Sequence, residues 1–112
     1  MEFKISEERR AGNVVIISVE GRLNALTASE LKDKIKTLIG ESYIHIVLTL
    51  SGTSFIDSSG LSAIVSALKG VREKDGSLKL VGVAANVKKV FELTRLERIF
   101  EFYNDVEQAL AA

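Results

Sequence analysis

The stretch Ile44-His45-Ile46-Val47-Leu48-Thr49-Leu50 and, after residues 51–54, the run Phe55-Ile56-Asp57-Ser58-Ser59-Gly60-Leu61 organise the reading of this chain. Residues 44–50 are dominated by β-branched and aliphatic side chains and read as a strand, with Ser51, Gly52, Thr53 and Ser54 as a loop behind it. Beyond the Asp57–Gly60 turn, Leu61, Ile64, Val65, Leu68 and Val71 lay an apolar stripe at helical spacing over residues 61–73. Ser62, Ser66, Lys69 and Glu73 occupy much of the opposite side. Two serines therefore stand at a helix N-terminus, where backbone N–H groups lack partners and the helix dipole favours negative charge. A serine so placed caps the helix, acts as a nucleophile, or accepts a phosphoryl group.

Outward from this segment, strands and helices alternate. Phe3 and Ile5 alternate with polar residues, residues 10–13 supply turn chemistry, and residues 14–19 form an apolar β-branched run closed by Gly21. These predict a hairpin whose second strand is buried on both faces. Thr27-Ala28-Ser29-Glu30 reads as a capping box with Thr27 as N-cap, and Leu26 and Leu31 stand at the positions of a hydrophobic staple. Leu31, Ile35 and Leu38 continue that helix, and Gly40 is placed to end it in the left-handed conformation. Leu78, Leu80 and Val83 mark a further strand. Asn86 opens a short helix with Val87, Val90, Phe91 and Leu93, residues 99–103 form a last short strand, and residues 104–107 start a terminal helix. The order predicts one α/β domain over residues 1–112: a mixed, mainly parallel sheet of four to five strands with about four helices.

Composition narrows the function classes. The chain is 46% hydrophobic and 27% charged, as ordinary globular domains are, and its fifteen basic and fifteen acidic residues cancel. No broad basic surface is available for nucleic acid or an anionic membrane. No cysteine is present for disulfides, thiolate catalysis or metal ligation. No segment approaches the roughly 18 apolar residues of a membrane span. Acidic residues stand early, where a signal peptide would be apolar. The expectation is a cytoplasmic domain that contacts neither nucleic acid nor membrane.

Catalytic patterns are sparse. The one histidine, His45, lies between Ile44 and Ile46 and reads as a strand residue. A serine nucleophile needs a base within hydrogen-bond reach. Ile56 stands where the G-x-S-x-G elbow has glycine, and no phosphate-binding glycine loop occurs. Asp57 has no acidic sequence neighbour for sharing a metal. No cofactor is expected, and an enzyme is disfavoured. Asp57, Ser58 and Ser59 form a redundant row of cap-competent groups, with a small Gly60 expected to leave the turn accessible.

Together these residues resemble the STAS domain family, in particular the single-domain anti-sigma factor antagonists of bacteria. The resemblance runs through Val19-Glu20-Gly21-Arg22-Leu23, Thr27-Ala28, Ile46-Val47-Leu48, residues 55–61, residues 76–82 and residues 87–93. It implies a partner-switching cycle in transcription regulation. An anti-sigma factor that is a serine kinase would phosphorylate the serine after the aspartate, here Ser58. The unphosphorylated protein would bind that kinase and release the sigma factor, and a phosphatase would reset the cycle. Partner contacts are expected from Leu23, Asn24, Thr27, Phe55, Ile56, Asp57, Ser58, Ser59, Gly60 and Ser62, with Ser66 and Lys69 at the edge. Local chemistry alone leaves Ser58 and Ser59 as alternatives. Similar domains also serve as scaffolds or regulatory subunits of signalling and transport complexes, the second function class. Two positions depart from the family pattern: Asn24, where members often carry Asp, and Arg95, where glycine commonly precedes the leucine.

Overall fold

A computed structural model describes residues 2–112. The chain opens with strand β1 (Lys4–Arg10), turns through residues 11–13, and returns as β2 (Val14–Leu23). Helix α1 (Ala25–Gly40), strand β3 (His45–Ile56), helix α2 (Ser58–Arg72) and strand β4 (Ser77–Val81) follow. Helix α3 (Ala85–Leu93), a 3-10 turn (Leu96–Ile99), strand β5 (Glu101–Tyr103) and helix α4 (Val106–Ala111) complete it. The five strands form one sheet in the order β1-β2-β3-β4-β5, with β1 antiparallel to β2 and every other pair parallel. The predicted α/β architecture is the observed one.

Strand alternation divides the core into two layers. Val15, Ile17 and Val19 of β2, Ile46, Leu48 and Leu50 of β3, and Leu78 and Leu80 of β4 face one side. There they pack with Leu31, Ile35 and Leu38 of α1, Ile64, Leu68 and Val71 of α2, and Val87 and Phe91 of α3. Ile16, Val47 and Val81 point the other way and are covered by Ala109, Val106 and Leu110 of α4. The middle of β2 is thus buried on both faces, as its apolar run predicts. Phe91 meets Phe100 and Phe102 edge-on, with ring centroids 5.5 and 5.6 Å away.

Several boundaries differ from the sequence expectation, each for a tertiary reason. Residues 51–54 are not a loop: β3 continues to Ile56 because β2 continues to Leu23 beside it. Two register irregularities, between Ser18 and Glu20 and between Gly21 and Arg22, keep the pair together. Gly21 has φ +105, and a Cβ there would stand 3.0 Å from the Glu2 carbonyl oxygen, so a side chain at the bulge would be strained. Thr53, which is buried, donates its hydroxyl to the Val19 carbonyl at 2.9 Å, so a polar residue fits inside the strand.

The first helix starts one turn earlier than expected. Its N-cap is Asn24, and Thr27 is the reciprocal N3 partner rather than the cap. The Asn24 Oδ1 accepts from the Leu26 and Thr27 amides, and the Thr27 hydroxyl accepts from the Asn24 amide at 2.9 Å. Leu26 consequently forms no staple and is 81% exposed. Gly40 is helical, and Ser42 takes the left-handed position, with the Tyr43 amide closing onto the Leu38 carbonyl. Helix α2 begins at Ser58 rather than Leu61. Helix α3 begins one residue before Asn86, and Leu93 is exposed. Residues 96–99 are a 3-10 turn, so the last strand shortens to Glu101–Tyr103.

Candidate functional site

Parallel strands β2 and β3 end side by side, Leu23 paired with Ile56. Each is followed at once by a helix cap, and the Asp57 amide donates to the Leu23 carbonyl at 3.1 Å. Asn24 and Asp57 have nearly the same backbone, φ −115, ψ −170 and φ −117, ψ −171. The two helix N-termini therefore open next to each other at the carboxyl end of the sheet, the usual place for sites in open α/β folds.

At α2 the cap is Asp57, whose Oδ1 accepts from the Ser59 amide at 2.9 Å and the Gly60 amide at 3.1 Å. With the carboxylate satisfying those donors, neither serine hydroxyl is drawn into the cap. Neither has a side-chain hydrogen bond among the described residues. Ser58 is exposed and Ser59 half-buried. They share an open concavity of about 470 Å³ with Ser62 and Ala63 of α2 and with Ala25, Ala28, Ser29 and Lys32 of α1.

Gly60 plays a different part from the one expected. It is buried, and a Cβ would stand 2.6 Å from Ile56 Cγ1 and 2.9 Å from the Leu23 carbonyl oxygen. The glycine lets the first turn of α2 sit directly on the β2 exit, so it seats the loop instead of opening it. Leu23 and Ile56 are buried as well. These three shape the site from beneath, and direct contact with a partner does not fit their burial. Asn24, Thr27, Phe55, Asp57, Ser58, Ser59 and Ser62 retain exposure. Ser66 and Lys69 lie farther along α2.

Residues outside the expected set complete the surface. Leu26 projects from the first turn of α1, off the buried stripe of Ala28, Leu31, Ile35 and Leu38. Starting the helical count at Asn24 instead of Thr27 would have exposed that mismatch. Arg22 lies over the Phe55 ring with its guanidinium carbon 4.0 Å from the centroid, and Asn86 donates to the Ser54 carbonyl at 3.0 Å. No local pattern announces these long-range contacts. His45 sits at the far end of β3, its Nδ1 3.0 Å from the Ser77 hydroxyl, and provides no base for either serine. Among the described residues no helix is long and apolar enough to cross a membrane.

The fold and the paired helix starts define a class: a small α/β domain presenting an accessible serine beside a capping aspartate at the end of a mixed sheet. The chain belongs to the STAS domain family, whose model matches residues 6–109. An anti-sigma-B factor antagonist of Listeria monocytogenes is 30% identical over 104 residues, covering 93% of this chain and 91% of the relative. The Thermotoga maritima protein TM1081, assigned there as a candidate anti-sigma factor antagonist, is 30% identical with a TM-score of 0.86. That alignment covers 97% of this chain and 92% of TM1081. The Bacillus cell fate determinant SpoIIAA in its phosphorylated form shares the fold, with a TM-score of 0.76 at 22% identity over 96% of this chain and 97% of SpoIIAA.

Proposed function

We propose that this chain is an anti-sigma factor antagonist whose binding is switched by phosphorylation of Ser58. The observation that carries this reading is the division of labour at α2. Asp57 satisfies the helix cap and leaves the Ser58 hydroxyl exposed and, among the described residues, without a side-chain partner. The family membership and the name of the Listeria relative supply the class of partner.

In the unphosphorylated state the protein binds an anti-sigma factor that is also a serine kinase, and the sigma factor is released. The Ser58 oxygen then attacks the γ-phosphorus of kinase-bound ATP. An O–P bond forms as the bond to ADP breaks, and the hydroxyl proton passes to a base of the kinase. The new group carries roughly −1.5 to −2 charges and three acceptor oxygens. Helix α2 tolerates it because its N-terminus favours negative charge. The partner does not: a surface fitted to a neutral hydroxyl beside Asp57 meets bulk and like charge. A loss of roughly 3 kcal/mol weakens binding more than a hundredfold, enough for a switch without refolding. A phosphatase returns the hydroxyl. The chain itself is a regulator, not an enzyme, and acts in the cytoplasm with its partners.

Intact-mass measurement after incubation with the anti-sigma kinase and ATP tests the assignment. One phosphate is expected on the wild type and none on Ser58→Ala. Undiminished phosphorylation of Ser58→Ala would transfer the role to Ser59.

A further inference from the structure

The concavity at Ser58 does not end with α2's first turn. It shares Lys32 and Ala63 with a second groove, of about 420 Å³, that continues between α1 and α2. The floor of this groove is apolar, made by Ile39, Ala63, Ala67 and Gly70. Here α2 offers small residues and α1 packs closely against it: a Cβ on Gly70 would stand 3.0 Å from Ile39 Cδ1. From Ala63 to Gly70 the helix advances about 10 Å, roughly two turns.

The rim carries the opposite chemistry. Lys32, Lys36, Lys69 and Lys74 line it, all exposed, against one acid, Glu73. None of the four is in an ion pair among the described residues, where the recorded pairs join Arg9, Arg10 and Lys34 to Glu7, Glu8 and Glu41. In a chain of zero net charge this is a local excess of cations around an apolar strip.

The geometry points to this groove as the docking site for an acidic amphipathic helix of the anti-sigma partner, an inference that rests on the function proposed above. The helix would lay its apolar face on the half-buried Ile39 and Gly70, above the buried Ala63 and Ala67, and set its carboxylates against the four lysines. A second copy of this chain would instead bring lysines against lysines. The arrangement also ties docking to the switch. A phosphate on Ser58 stands at the mouth of the groove, where it repels an acidic helix and competes for Lys32. The attraction that steers the partner in is thereby opposed by phosphorylation.

Two measurements test the groove. Isotope-labelled protein is titrated with a helical peptide of about 18 residues carrying leucines on one face flanked by glutamates, and with a counterpart bearing lysines instead. The acidic peptide is expected to shift α1 and α2 resonances saturably, to do so about tenfold more weakly when salt rises from about 0.05 to 0.3 M, and the basic peptide to leave them unmoved. Absence of shifts with the acidic peptide, or equal shifts with both, overturns the groove whatever the kinase does. Affinity for the anti-sigma kinase is then compared among wild type, Lys36→Glu/Lys69→Glu and Ser58→Glu. About 30-fold weaker binding of the lysine double variant, with an unchanged melting temperature, supports the groove. Wild-type affinity in that variant alongside lost binding of Ser58→Glu overturns the groove and leaves the switch standing. Undiminished binding of Ser58→Glu together with no phosphate gain defeats the switch, and the peptide titration then decides the groove alone.

Discussion

Replacing Asp57 by alanine removes the side-chain acceptor of the Ser59 and Gly60 amides, at 2.9 and 3.1 Å. Loss of an N-cap costs about 1 kcal/mol, and loss of a negative charge at a helix N-terminus about 0.3–1 kcal/mol more. Asp57→Ala should therefore destabilise the domain by about 1.5 kcal/mol. For a 112-residue chain this lowers Tm by about 6 °C. Asp57→Asn keeps an acceptor at the cap and should lose only the charge contribution. Ser58→Ala removes an exposed hydroxyl that has no side-chain partner among the described residues and should stay within about 0.5 kcal/mol of wild type. Urea denaturation of the four proteins, compared at a common slope, separates these outcomes. If Ser58→Ala cost as much as Asp57→Ala, the serine would be the working cap and its hydroxyl would not be free for modification.

Two glycines should respond with opposite signs. Gly60→Ala places a Cβ 2.6 Å from Ile56 Cγ1 and should cost about 1–3 kcal/mol, whereas Gly40→Ala meets nothing within 4 Å and should gain up to about 1 kcal/mol of helix propensity; thermal melts check both. Hydrogen bonds from Arg9 and Lys34 hold the Glu7 carboxyl below its ordinary value of 4.5. Because the folded value is the lower one, Glu7 adds stability above the ordinary value and loses it as pH falls through the folded value. Glu7→Gln should thus be slightly less stable at pH ~7 and match wild type at pH ~2–3, read by denaturant midpoints across pH. Leu26→Ser should leave stability within about 0.5 kcal/mol, since the side chain is 81% exposed, while weakening the anti-sigma partner about tenfold in a binding titration. Unchanged affinity would remove Leu26 from the interface.

Much of the fold was legible because burial imposes a period on sequence. Residues 14–19 and 44–50 are apolar enough to lie inside a sheet, and the stripes through Leu31, Ile35 and Leu38 and through Leu61, Ile64 and Leu68 match one helical face each. Alternation of these patterns after a hairpin leaves little but a mixed, mainly parallel sheet covered by helices. The Asp-Ser-Ser-Gly turn was equally visible as a helix start after a strand. Its cap chemistry follows from residue types alone.

What local sequence left open were choices between groups of similar competence. Asn24 and Thr27 are both good N-caps, and the exit of β2 at Leu23 decides for Asn24. Residues 51–54 have loop composition, yet pairing with the bulged end of β2 holds them as strand and gives Thr53 a buried partner. Left-handed positions fall on Ser42, Asp75 and Arg95, where helix closures put them. Asp57, Ser58 and Ser59 were interchangeable as caps until Asp57 emerged beside Leu23, with Gly60 packed against the β2 exit. Propensity and periodicity act over a few residues, so they specify elements. Which of several adjacent polar groups is consumed by the fold, and which stays free for a partner, depends on contacts between strands more than thirty residues apart in sequence.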